Sequence, residues 1–434
     1  QGRCPACGAW NTLQEFVVDP AMPKSRSAER SGFSGQLSEV RQLNEIALED
    51  SPRISAGMDE LDRVLGGGLV PGSAILLGGH PGAGKSTLLL QVLCRLADRE
   101  KCFYITGEES LAQVAMRADR LKLPKEKLRL AAETDVEQIL ELARKEQPRL
   151  LVVDSIQVMY LAGLQSAPGS VAQVREGAAA LTRFAKQTGT VLLLVGHVTK
   201  DGTLAGPKVL EHMIDCSLML EGSADARFRT LRGLKNRFGA VNELGVFAMT
   251  GEGLKEVKNP SAIFLNRADD IAPGSLVTVV WEGTRPLLVE LQALVDASHF
   301  GNPRRVCVGL EANRLAMLLA VLHRHGGIQV GDQDVFANVV GGVKVAETAA
   351  DLALVLAIVS SFRDRPLGRD LVVFGEIGLS GEIRPVPQGQ ERLYEAVKHG
   401  FKRAIIPKAN KPRQLPDGVE VIAVSTLAEA LEQL

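Results

Sequence analysis

The sequence predicts an α/β core with a mostly parallel sheet and helices on both faces, followed by a smaller α+β unit. Three observations carry this. The first is Gly79-His80-Pro81-Gly82-Ala83-Gly84-Lys85-Ser86, the spacing G-x-x-x-x-G-K-S, which follows the apolar run 74–77 and precedes a helix-like stretch at 87–93. The second is a regular alternation of apolar strand-like and amphipathic helix-like segments from 74 to 196, the pattern of a parallel sheet. The third is a change after 214 to short strands with polar breaks, then a second run of strands and apolar helices from about 273.

In chain order, 19–38 is rich in Ser, Gly, Pro and basic residues and reads as a linker, and 39–51 as a short amphipathic lead-in. Strands are expected at 102–106, 149–154 and 190–196, with helices at 110–121, 135–146 and 171–188. Segment 214–257 reads as an antiparallel extension of the sheet. Strands at 276–281 and 287–295, helices at 311–325 and 347–361, and strands near 371–374, 403–406 and 419–423 make up the second unit. The expected division is 1–18 for a cysteine knuckle, 19–50 for linker and lead-in, 51–258 for the α/β core, 259–272 for a connector and 273–434 for the last domain.

The glycine-rich segment points to chemistry directly. Its glycines let successive N–H groups turn inward on phosphate oxygens, and the following helix N-terminus adds partial positive charge. Gly79 through Thr87 therefore form the expected nucleotide cradle, with Lys85 reaching the β- and γ-phosphates and Ser86 ligating magnesium. The expected ligand set is ATP with Mg2+.

A net charge of −1 over 434 residues argues against coating nucleic acid by bulk charge but leaves room for a local basic channel. No apolar run approaches the ~18–20 residues of a membrane span, so no membrane role is expected. Cys94, Cys102, Cys216 and Cys307 stand singly in apolar stretches and read as buried free thiols in a reducing cytoplasm. Cys4-Pro-Ala-Cys7-Gly8 is different. Tetrahedral zinc needs four ligands, and this knuckle supplies two. We favour a half-site whose partner knuckle lies upstream of residue 1 over a redox pair or chance.

Several further residues suit triphosphate chemistry. Asp154 ends an apolar strand and could hold the magnesium shell. Glu108 and Glu109 follow another strand, and one of them is expected to orient the attacking water; Glu108 comes first after the turn and is preferred. His197 ends a third strand and is either a γ-phosphate sensor or an ordinary satisfied histidine. The segment after it, 199–208, is Gly-rich and polar. Lys235 and Arg237 lie two apart, so on a strand they share a face and could stabilise developing phosphate charge; an exposed basic edge strand is the plainer alternative.

Together, Lys235-Asn236-Arg237-Phe238-Gly239 and the Cys-Pro-x-Cys-Gly-x-Trp knuckle at 4–10 give the chain a resemblance to the bacterial RadA (Sms) family of recombination proteins along its whole length. The resemblance implies a RecA-like ATPase core, a C-terminal domain similar to the Lon protease domain and a zinc ribbon, of which one knuckle is present here. It implies that Lys235 and Arg237 reach an ATP on a neighbouring subunit, that Glu108 is the catalytic glutamate, and that the protein forms a hexameric ring moving along single-stranded DNA. Segments 160–173 and 199–208 then match DNA loops, which makes Arg175, Lys200 and Lys208 candidate phosphate contacts. Branched DNA and a RecA recombinase are the implied partners. In the Lon-like domain the serine position falls at Ala349 and the lysine position at Gln390, neither capable of the Ser-Lys chemistry, so a scaffold is expected rather than a protease. The basic residues Arg304, Arg305, Lys402, Arg403, Lys408, Lys411 and Arg413 are either DNA contacts of that scaffold or scattered surface charge.

Overall fold

The computed structural model describes residues 52–197, 208–222, 227–261, 265, 272–298 and 301–434. The cysteine knuckle, the linker, the lead-in and Lys200 lie outside the described residues.

A nine-stranded sheet carries the first part of the chain, in the order β3-β2-β4-β5-β1-β6-β7-β8-β9. Its parallel section is β1 (Ala74–Gly79), β2 (Cys102–Thr106), β3 (Arg129–Ala132), β4 (Leu150–Asp154), β5 (Val191–Val195) and β6 (Cys216–Glu221). Strands β1, β2, β4 and β5 are buried at every position, as expected of parallel strands covered on both faces. Alternation along each strand divides the side chains between two cores. Ile75, Leu77, Val152 and Leu193 pack under α1 (Asp59–Val64), α2 (Lys85–Leu96) and α3 (Leu111–Arg120). Ala74, Leu76, Val153 and Leu194 face α4 (Val136–Glu146) and α5 (Val171–Thr188) on the other side. Helix boundaries follow the local chemistry. Ser110 and Gln113 form a reciprocal capping box at α3, and Asp135 and Ser170 cap α4 and α5. Gly189, at φ 72°, ends α5 in the left-handed conformation.

After the short α6 (Lys208–Glu211), strand β6 still runs parallel to β1; the antiparallel extension begins only with β7 (Phe228–Asn236), β8 (Leu244–Thr250) and β9 (Gly253–Glu256). The Gln91 side chain locks α2 to β9, accepting from the Leu254 N–H at 2.9 Å and donating to its carbonyl at 3.2 Å.

A second, seven-stranded sheet has the order β12-β13-β11-β10-β14-β17-β18. Its strands are β10 (Ser275–Glu282), β11 (Arg285–Ala297), β12 (Arg305–Val308), β13 (Gln333–Val339), β14 (Leu371–Val373), β17 (Arg403–Pro407) and β18 (Glu420–Val424), with β15 (Glu376–Ile377) and β16 (Ile383–Arg384) pairing separately. Helices α7 (Ala312–Gly326), α8 (Asp351–Phe362) and α10 (Leu427–Leu431) share one core with it, and α9 (Gly389–Lys398) packs in the other. The helix expected from 347 begins as a 3-10 turn over Thr348–Ala350 and becomes α-helical at Asp351. Cys94, Cys102 and Cys216 are buried free thiols, whereas Cys307, on the edge strand β12, is only half-buried. That corrects the expectation for Cys307: an edge strand has no neighbour to cover it.

The two sheets are joined by packing and by ions. Leu244 and Val246 of β8 belong to the second sheet's core. The buried Glu60 carboxylate of α1 accepts from both Nη atoms of Arg285 at 2.9 Å and from the Val246 N–H at 2.8 Å. Arg285 also reaches the Leu244 carbonyl at 2.9 Å, and Arg232 pairs with Glu282 at 2.6 Å. Removing one partner of such a buried pair strands the other. Arg285→Ala is therefore expected to cost about 3–5 kcal/mol of stability. Chemical denaturation measures it, and a loss below about 1 kcal/mol would show the joint to be incidental.

Candidate active site

The nucleotide loop leaves β1 at Gly79 and enters α2 at Lys85. Two glycines in it are required, Gly79 by space and Gly84 by its left-handed backbone. A Cβ on Gly79 would lie 2.5 Å from the Leu220 carbonyl oxygen, and one on Gly84, where φ is 105°, would lie 2.9 Å from Met249 Cε. The Lys85 ammonium, buried, donates to the carbonyls of Gly79 at 2.8 Å and His80 at 3.0 Å, curled over the loop it serves. Burial lowers its pKa from the ordinary lysine value, while the charges of Asp154 and Glu108 act to raise it.

Behind the loop stands a residue that the sequence reading missed. Arg229, buried on β7, donates through Nε to the Ala83 carbonyl at 3.0 Å. Gly222 leaves it room, since a Cβ there would come within 2.6 Å of Arg229 Cδ. Its signal was available: Arg229 falls in the buried phase of β7 with Leu231 and Gly233, where an arginine is out of pattern.

The carboxylates sort cleanly. Asp154, at the end of β4, is nearly buried and accepts a hydrogen bond from the Tyr104 hydroxyl. Glu108 accepts from the Ser155 hydroxyl and sits 3.1 Å from His197 Nε2. Glu109 turns away to an ion pair with Arg117, and its carbonyl accepts from Thr106 Oγ1 at 2.8 Å. Lys85, Glu108, Asp154 and His197 thus converge at the carboxyl ends of β1, β2, β4 and β5, with Ser86 and Thr87 opening α2 beside them. Ser155 and Tyr104 belong to the same cluster. Sequence gave no warning of either, because nothing local distinguishes a strand tyrosine that reaches a carboxylate from one that fills a core.

Lys235 and Arg237 are elsewhere. Lys235 pairs with Ser217, and Ser217 lies beside Leu76, three residues short of Gly79. At ~3.3 Å per residue its backbone is about 10 Å back along the strand from the loop. Nor do the two cations share a strand face, since β7 ends at Asn236. Lys235 donates to the carbonyls of Glu211 and, at 2.8 Å, Ile214, and burial together with the nearby Arg237 charge lowers its pKa. Arg237 is half exposed and makes a long 3.3 Å contact with Asp215, which also binds Lys186 at 3.0 Å. The rest of the motif is structural. Asn236 donates to the Val64 carbonyl at 3.2 Å, Arg53 reaches the Phe238 carbonyl at 2.7 Å, and a Cβ on Gly239 would lie 2.8 Å from Gly66 Cα.

Of the DNA candidates, Arg175 on α5 is exposed and paired with Glu176 at 2.8 Å, and Lys208 opens α6. Arg304 pairs with Asp334 at 2.7 Å, Arg305 donates to the carbonyls of Val330, Gly331 and Gln333, and Arg403 faces Glu420 at 3.6 Å. Those three are engaged within the chain. In the second sheet's domain Ala349 is buried and Gln390 exposed. Beside Ala349, Glu347 takes both Nη atoms of the buried Arg392 at 2.7 and 2.8 Å. Among the described residues no group of three or more His, Cys, Asp or Glu is arranged to hold a metal, and no helix is long and apolar enough to cross a membrane.

A phosphate loop at the carboxyl edge of a mostly parallel sheet, with a strand-end aspartate and a glutamate facing it, defines a P-loop ATPase with a RecA-like core. Residues 42–203 match the family model described as an AAA domain, and 316–410 match that of subunit ChlI of Mg-chelatase. The chain is 67% identical to the DNA repair protein RadA of Salmonella typhimurium over 99% of its own length and 94% of that protein's. It is 66% identical to the DNA repair protein RadA of Escherichia coli and 48% identical to that of Bacillus subtilis, at the same coverage. The chain belongs to the RadA family of DNA repair proteins.

Proposed function

We propose that this protein is a DNA-dependent ATPase of homologous recombination and DNA repair. In this reading it works as a hexameric ring, moves on single-stranded DNA and drives branch migration of recombination intermediates in concert with a RecA recombinase. One observation carries it: the nucleotide loop and the half-exposed Arg237 lie at opposite edges of one sheet. A single copy cannot bring Arg237 to its own nucleotide. A head-to-tail arrangement of copies can, and such heterologous contacts form a ring where the rotation between copies closes.

The geometry supports one division of labour. The loop 79–87 binds the triphosphate, with Lys85 exchanging its two carbonyl contacts for phosphate oxygens. Ser86 and Asp154 fit a magnesium shell, a hydroxyl and a carboxylate of the hard-oxygen type that ion prefers. Bound there, Mg2+ supplies charge neutralisation at the phosphates. Glu108 orients the water, and Arg237 of the neighbour stabilises the charge that develops. His197, in contact with Glu108, lies two residues before the 199–208 segment that holds Lys200. A strand of DNA bound there, with Arg175 and Lys208 as further phosphate contacts, would reach the glutamate through His197.

We assign 51–258 to the ATPase domain and 273–434 to a Lon-like scaffold without protease activity, joined by 259–272. The buried Ala349 beside the Glu347–Arg392 ion pair supports that assignment, for it leaves no nucleophile at the serine position. Cys4 and Cys7 would supply two of the four ligands of a zinc site.

The test is ATP turnover measured against protein concentration, with and without single-stranded oligonucleotide, alongside strand displacement on a branched substrate. Turnover rising with assembly and with DNA, and displacement of a paired strand, are expected. Full turnover by a dilute, DNA-free monomer would refute the reading. DNA binding and turnover without displacement would leave an assembly switch in place of a motor.

A further inference from the structure

We infer that Tyr104 is a positioning residue for the catalytic divalent cation, fixing through its hydroxyl the carboxylate of Asp154 that faces the P-loop helix. The inference rests on the reading of Asp154 as a magnesium-shell residue and goes one layer behind it.

Tyr104 lies in the middle of β2 and pairs with Val152 of β4, two residues before Asp154. Both belong to the core packed under α2, so Tyr104 and Asp154 project to the same side of the sheet, toward the helix that carries Lys85 and Ser86. The ring is 1% exposed and held by that core, and its hydroxyl donates to Asp154 Oδ2 at 2.5 Å. One carboxylate oxygen is thereby engaged from below, and the carboxylate's rotation is fixed with Oδ1 left for a ligand above. A phenol is suited to this because it remains a donor. Burial, and next the neighbouring Asp154 charge, push its pKa well above the ordinary tyrosine value. Hydrogen-bonded partners of this kind set the orientation of a metal-ligating carboxylate, and losing them commonly costs ~10–100-fold in metal affinity. Asp154 sits at the end of its strand, beside the turn containing Ser155, whose own hydroxyl is turned to Glu108. Among the described residues Tyr104 is thus the group that holds Asp154.

The experiment compares the parent chain, Tyr104→Phe and Asp154→Asn by the affinity for a fluorescent ADP analogue, measured in EDTA and in Mg2+. Mn2+ binding to the ADP complex, followed by electron paramagnetic resonance, is a second readout. Phe keeps the ring and its packing, and thermal melting checks that it does. For Tyr104→Phe the affinity in EDTA should equal that of the parent, while the gain in affinity produced by Mg2+ should fall about tenfold, with weaker Mn2+ binding to match. A merely structural tyrosine would move both affinities together or neither. If Tyr104→Phe keeps the full Mg2+ gain while Asp154→Asn loses it, the positioning role is wrong. If Asp154→Asn itself keeps the gain, the magnesium assignment of Asp154 falls, and this inference with it.

Discussion

Arg237→Ala is expected to bind ATP as the parent chain does and to lose about 10³-fold or more of its hydrolysis, the range seen when a trans-acting arginine is removed. The reasoning is spatial. Arg237 lies just beyond β7, at the end of the sheet away from its own nucleotide loop, so its loss leaves that loop intact. Its partner Asp215 keeps Lys186 and the Ala74 N–H as hydrogen-bond partners, so the fold has little to lose. Mixing provides the sharper form of the test. Lys85→Ala subunits lack a working cradle but present an intact Arg237, whereas Arg237→Ala subunits have the reverse defect. Combined, they should recover a fraction of the parent activity at the interfaces where one supplies the loop and the other the arginine. Normal hydrolysis by Arg237→Ala alone would end the argument for a shared site. An inert mixture of two well-folded variants would also count against it.

Glu108→Gln should retain nucleotide binding and lose about 10²- to 10⁴-fold of hydrolysis, the usual contribution of a positioned general base. Glu109→Gln should leave hydrolysis near the parent level. The two neighbours differ in what they already bind. Glu109 is paired with Arg117, while Glu108 faces Ser155 and His197 at the edge of the phosphate loop. An amide keeps the shape and the hydrogen bond from Ser155 but cannot draw a proton from water. Single-turnover hydrolysis, with nucleotide affinity measured separately, distinguishes the two variants. A loss in Glu109→Gln with Glu108→Gln unimpaired would mean that the Arg117 pair, not Glu108, matters to the chemistry.

Much of this fold is written in short-range pattern. Strand β2 falls where the largely apolar Cys102–Thr106 demands a buried strand, and α3, α4 and α5 begin at Ser110, Asp135 and Ser170 because those side chains satisfy free helix N–H groups. Elements with weaker local signals were not anticipated. Strand β3 is a four-residue, partly exposed edge, β12 and β13 pair only across the second sheet, and α9 starts at Gln388 in a left-handed conformation without a capping side chain. Their stability comes from neighbours distant in sequence, which no local window reports.

By itself the sequence determined that this protein cradles a triphosphate, because the spacing from Gly79 to Ser86 can satisfy phosphate oxygens only one way, and it carried the family resemblance in Lys235–Gly239. Tertiary structure alone decided which groups share a site. It set Tyr104 against Asp154, Ser155 and His197 against Glu108, and Arg229 behind Ala83, while it carried Arg237 to the opposite edge of the sheet. The reason is that a few ångströms separate a hydrogen bond from none, and those ångströms are set by strand order and register. Both depend on how segments 47 to 146 residues apart pack against one another.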